Sequence, residues 1–318
     1  MAITVTFSIA GSFTIEDDGT PGNATSIVRR DSDGAILAII PHPADSLTIR
    51  ATVPGVNLTF NVTDSFGTGT LTVGSLTNAA ETPDSIVVGN LPSSSSVTLV
   101  SNGSIVEGGS DIAADIVASS IILSAVSGVG TPVNAIETQT GLLEAETTTG
   151  GINISNVGDL QVGGFSAEVD GLDVVTSGDI VLTNLGTITL SDETSTDSVH
   201  GGDASGNVTL IANGYDSDIT SNVDQSAILA PRGSIFLTAG RDVSFGLGGA
   251  DFNNDVRANN DIIVNAGRDL LLSGFADFFA NGVLGNAGGG IIVNAGRNVS
   301  LLDDTGNSAG LAAIGANG

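Results

Sequence analysis

Apolar residues recur in short alternating runs along the second half of the chain. Ile152 and Ile154 are followed eight residues on by Leu160 and Val162, Ile180 and Leu182 by Ile188 and Leu190, and Ile262 and Val264 by Leu270 and Leu272. A spacing of two puts both side chains of a pair on one face of a strand. Between the pairs stand small or polar residues, often Gly, which tolerates positive φ and lets a chain turn a corner. Each unit therefore predicts two or three short strands joined by bends.

The units repeat. Their first apolar positions fall at Ile152, Ile180, Val208, Ile235, Ile262 and Ile291, in steps of 28, 28, 27, 27 and 29 residues. Residues 261–272 and 290–301 are identical at 8 of 12 positions, and "IIVNAGR" stands unchanged at 262–268 and 291–297. One such unit cannot bury its apolar face alone. Units stacked in parallel pair along their backbones and share an interior of Ile, Val and Leu. The pattern predicts an all-β protein, a right-handed parallel β-helix or solenoid. Strands at 96–108, 115–125 and 140–150 read as further coils, which extends the repeats over residues 91–318. Segments 191–202 and 274–289 then supply remaining walls or loops. Residues 1–90 are β-rich but aperiodic, an irregular N-terminal region that fits a cap, irregular coils or a small sandwich.

Composition agrees with a folded chain rich in turns. Of 318 residues 41 % are hydrophobic and only 14 % charged, which excludes the disordered class, while 44 Gly supply corners. The net charge is −27, and all eight basic residues are Arg. Such a surface repels phosphate backbones and anionic headgroups, so no nucleic-acid partner is expected. There is no Cys, which removes disulfides, thiolate metal sites and cysteine nucleophiles together. No run reaches the roughly 18 apolar residues that span a bilayer, so no membrane insertion is expected. The start lacks a positive n-region and a long apolar h-region, and "LAAIGANG" stops where a new coil would begin. Both features fit a slice of a longer array.

The stretches "GSIFLTAGRDVSF" (233–245) and "DIIVNAGRDLLL" (261–272) resemble repeats of filamentous-haemagglutinin-like exoproteins and related giant bacterial surface adhesins. Residues 114–164 are similar to a segment that recurs in such proteins. The resemblance covers roughly residues 96–318 and rests on structural motifs. It implies a right-handed β-helix, export, and a role as stalk or adhesin. It carries no catalytic residue, because the repeat itself has none.

Candidate chemistry is sparse. The "AGR" phrases place Arg241, Arg268 and Arg297 at the repeat period, either as a column that grips an anionic glycan or as coil corners paired with Asp242 and Asp269. Exposed ion pairs of that kind contribute little, which favours the corner. Glu16, Asp17 and Asp18, and again Asp251, Asn253 and Asp255, are the acidic clusters that suit Ca²⁺, an ion of six to eight oxygen ligands. Solvated turns are the simpler account of both. Glu168, Asp170 and Asp173 are the acids a glycoside hydrolase would draw on. His42 and His200 each lack a second His or Cys nearby and read as surface or turn histidines. Phe275, Phe278 and Phe279 read as stacked core.

The expectation is thus no catalytic, cofactor or metal site, with weak Ca²⁺ binding at acidic turns left open. The function expected is a structural or adhesive segment of a large secreted protein at the bacterial cell surface. Its partners would be host or neighbouring-cell glycans or proteins, or further copies of itself in fibres. The alternatives are a β-helix polysaccharide lyase or phage-type depolymerase, and a cation-binding solenoid.

Overall fold

The computed structural model describes residues 2–20, 25–41, 45–63, 69–191, 197–221, 223, 227–246, 255–273, 276–280, 289–302 and 313–316. Among them the regular structure is strand, apart from one short 3-10 turn at Ala79–Glu81. The strands stack in parallel coils, so the fold is an all-β parallel β-solenoid. The chain divides into two compact units, Met1–Gly141 with Asn153–Ser155, and Leu142–Ile152 with Asn156–Gly318.

The second unit holds the regular repeats and builds three columns of parallel strands. The first column stacks Ile180–Leu185, Val208–Asn213, Ile235–Ala239, Ile262–Ala266 and Ile291–Ala295. The second stacks Leu160–Val162, Ile188–Leu190, Ile219–Ser221, Val243–Phe245, Asp269–Ser273 and Asn298–Leu302. The third runs from Leu142–Thr149 through Leu172–Ser177, Val199–His200, Ile228–Ala230, Val256–Ala258 and Asp277–Ala280 to Ala313–Ala316. The 27–29-residue step is one circuit of these three faces.

Period-two alternation decides which side chains meet. Ile180, Val208, Ile235 and Ile262 stand in register and are fully buried, as are Leu182, Leu210, Leu237 and Val264. Each such side chain taken from water contributes roughly 1.5–3 kcal/mol, so the stack is the main cohesive element of the unit. Phe245 and Phe278 meet edge to face at 5.5 Å inside it. Phe279 faces outward, with the Arg257 guanidinium 5.5 Å from its ring centroid, and Phe275 lies outside the described residues.

The corners are polar or close-packed. The Asp179 carboxylate accepts from the Asn207 N–H (2.8 Å), the Asn207 side chain from the Ser234 N–H (2.9 Å), and Asp261 from the Gly290 N–H (2.8 Å). One side chain per coil thereby ties each corner to the next. At the "AGR" corner a Cβ on Gly267 would collide with the carbonyl oxygen of Gly240, and one on Gly296 with that of Gly267. These glycines are not in the left-handed region. Close approach of successive coils, rather than positive φ, requires Gly there.

The first unit stacks in the same way over less regular steps. One column pairs Ala2–Phe7, Ser46–Ala51, Thr70–Val73, the later part of Ser85–Ser101, and Ile116–Ala125. Another pairs Gly11–Asp17, Val56–Asn61, the earlier part of Ser85–Ser101, and Ile105–Glu107. Thr25–Arg30 and Ile36–Pro41 add an antiparallel pair to the edge of Gly11–Asp17. Parallel coils are therefore present well before residue 91. A boundary at 90/91 falls inside the continuous strand Ser85–Ser101.

Candidate functional site

Two groups of titratable side chains stand out, one in each unit. In the second unit the outward positions of the third column stack Glu146, Asp173 and His200 in register, one residue per coil. His200 Nδ1 lies 2.9 Å from Asp173 Oδ1, and its Nε2 lies 3.5 Å from Asp203 Oδ1. The hydrogen bond to Asp173 raises the imidazole pKa against the opposing effect of burial, and the charges of Asp197 and Asp203 add to the rise. Asp170, Asp173, Asp197 and His200 line a cleft of about 250 Å³. A cleft with this charge suits cationic or hydroxyl-rich ligands, and its imidazole can hold or release one proton.

On the first strand of the same column Glu144 is fully buried, and burial pushes its carboxyl up to about 7. The backbone N–H groups of Phe165 and Ser166 donate to Oε1 at 3.1 and 3.2 Å and oppose that rise, while Oε2 has no hydrogen-bond partner.

The cleft joins residues that the linear pattern separated. Asp173 meets His200 because 27 residues is one coil, and Asp170 lines the same cleft. Glu168 instead stays exposed with the Ser166 hydroxyl 3.1 Å from its Oε2. The 27-residue repeat step is the sequence signal that pairs Asp173 with His200. His42 lies outside the described residues.

In the first unit Glu107, Asp115 and Glu137 converge, with one carboxylate oxygen of each lying within 4.8 Å of the others. Glu107 ends the short strand Ile105–Glu107, while Asp115 and Glu137 sit on neighbouring coils. The Glu137 N–H donates to Asp115 Oδ2 at 3.1 Å, and the Asp115 N–H to the Glu137 carbonyl at 2.8 Å. Burial raises all three carboxyls, Asp115 to about 8, and their proximity to one another and to Asp111 adds to the effect. No sequence motif marks this group, because its spacings of 8 and 22 residues follow no repeat.

Among the described residues, the acidic turns singled out in the sequence commit carboxylate oxygens to nearby partners. Glu16 pairs with Arg29 Nε at 2.6 Å, Asp17 accepts from Thr63, and Asp18 accepts from the Thr20 N–H and the Thr25 hydroxyl. Asp255 accepts from Arg257 and from the Asp277 N–H, while Asp251 and Asn253 lie outside the described residues.

The "AGR" arginines are corner residues. Arg241 forks onto Asp218, Arg268 onto Asp242 and Arg297 onto Asp269, each reaching one coil back. The same carboxylates accept the backbone N–H groups of Asp242, Asp269 and Asn298. The Arg297 hydrogen bond holds the Asp269 carboxyl down to about 2.

The fold places the chain among parallel β-solenoid repeat proteins. No protein-family model matches it, and neither does any curated protein or solved structure.

Proposed function

We propose that the chain is a structural and adhesive segment of an exported bacterial surface protein, a right-handed β-solenoid that acts as stalk or adhesin. The observation that carries this reading is the in-register interior of the second unit, unbroken from Ile180 to Ile262 and closed at its corners by Asp, Asn and Arg ladders. Its recurrent side chains serve stacking, which is what a spacer or a presenting surface needs. The coil length of 27–29 residues and the chiral preference of parallel crossover connections support the right-handed reading. The net charge of −27 supports a protein without nucleic-acid partners. Among the described residues no helix is long and apolar enough to cross a membrane. Antibody labelling of intact cells that produce the protein tests the reading. Label without permeabilisation is expected, and label seen only after permeabilisation overturns it.

The cleft at His200 favours a second reading, a polysaccharide-degrading solenoid, since carboxyls and an imidazole line one cavity. That reading requires release of reducing ends or unsaturated sugars that Asp173→Asn abolishes. The stalk reading requires none.

A further inference from the structure

The inward-facing ladder of one column in the first unit runs Ile15, Phe60, Val88 and then Glu107. Three apolar side chains are thus followed, in register, by a carboxylate. Glu107 is only 8 % exposed, and its Oε2 accepts no hydrogen bond. A buried charge left in that state is costly unless something compensates it. Glu137 Oε2 is also buried without a hydrogen-bond partner. None of Glu107, Asp115 and Glu137 pairs with an Arg among the described residues, and the chain has no Lys.

These are independent signs of one missing ligand. The three side chains converge, and Glu107, itself more than nine-tenths buried, brings to the group a carboxylate with one oxygen that no donor satisfies. The hydrogen bonds that the backbone N–H groups of Asp115 and Glu137 make with each other's residue leave Glu107 Oε2 and Glu137 Oε2 without donors. We propose that Glu107, Asp115 and Glu137 bind one hard divalent cation, Ca²⁺, which ties the strand Ile105–Glu107 to the coil segments that carry Asp115 and Glu137.

The donor set is all oxygen and all anionic, which suits a hard cation and not zinc, whose structural sites draw on Cys and His. Calcium–oxygen distances of about 2.3–2.6 Å put ligands on opposite sides of one ion about 4.8 Å apart. The three oxygens lie within 4.8 Å of one another. Magnesium holds its ligands at about 2.0–2.1 Å in strict octahedral geometry and gives up water reluctantly, so a looser carboxylate group favours calcium. Remaining positions fall to water and to the exposed Asp111. Gly109 keeps the approach open, since a Cβ there would lie 3.3 Å from Glu107 Oε1 and 3.5 Å from Asp111 Oδ2. The site stands independently of the proposed surface role.

Calorimetric titration of the full chain with CaCl₂, alongside thermal melts in Ca²⁺ and in EDTA, tests the proposal. One saturable site with a Kd of about 1 mM or tighter is expected, with a Ca²⁺-dependent rise in melting temperature. Glu107→Gln should weaken binding about tenfold or more. Glu107→Val continues the apolar ladder of Val88, so it should fold at least as stably in EDTA and lose the response to Ca²⁺. Absence of both heat and melting shift up to about 10 mM CaCl₂ overturns the proposal. So does parental affinity in Glu107→Val, which would assign the binding to the acidic surface at large. A MgCl₂ response equal to that of CaCl₂ overturns the choice of calcium.

Discussion

Ile262 and Arg268 are six residues apart in the same repeated phrase and have opposite weights. Ile262 is fully buried between Ile235 and Ile291, whereas Arg268 reaches across an exposed corner to Asp242. Ile262→Asp places an unpaired charge in the stack and should cost on the order of 4 kcal/mol or more. Arg268→Ala should barely move the melting temperature, because solvent screens the pair it breaks. Melts of the two variants beside the parent check both, and a larger loss in Arg268→Ala would make the corner column the organiser of the repeat. Glu144 yields a pH prediction. Burial raises its carboxyl from 4.5 to about 7 in the folded chain. Between those values the unfolded chain has released a proton that the folded chain retains, so this group's contribution to stability falls as pH rises and levels off above about 7. In Glu144→Gln the decline in melting temperature across that window should be smaller. An unchanged pH profile would show that Glu144 ionises normally in place.

Strands here are only 2–6 residues long through most of the second unit, so each is held by the strands before and after it in the stack rather than by its own length. The corners set how closely those strands approach. Gly267 is such a corner, with no room for a Cβ against the Gly240 carbonyl, whereas Gly141 has nothing within 4 Å of that position. Gly267→Ala should therefore destabilise by about 1–3 kcal/mol. Gly141→Ala should be neutral or stabilise by up to about 1 kcal/mol, through the unfolded state. Denaturant midpoints of the two variants separate these outcomes, and equal midpoints would show that the corner yields without strain.

At the scale of the whole chain, the first 90 residues belong to the stacking. Ser46–Ala51 pairs with Thr70–Val73, which pairs with the later part of Ser85–Ser101. Limited proteolysis should therefore leave residues 1–90 attached to the strand that follows, with first cuts in connecting segments rather than in strands. Early release of an intact fragment ending near residue 90 would contradict the continuous pairing across that point. The acidic surface bears on behaviour at this scale too, since a net charge of −27 keeps molecules apart at low salt and weakens that effect as salt screens it.

Period-two alternation repeated every 27–29 residues was legible from sequence, and with it the solenoid, its buried Ile–Val–Leu stack and the corner role of "AGR". Each of these depends on side chains one step or one period apart, and a repeat makes both distances visible in a linear string. Coils before residue 91 were legible only as one of three alternatives, because their steps are irregular and an antiparallel pair interrupts them at Thr25–Arg30 and Ile36–Pro41. The two titratable groups were missed for related reasons. Asp173 and His200 meet through the period, but as outward polar residues they leave no hydrophobic trace. Glu107, Asp115 and Glu137 come together only where three irregular coil segments converge. Local alternation records which face a residue occupies. Which residues share a point in space depends on where each coil closes, and only the tertiary structure decides that.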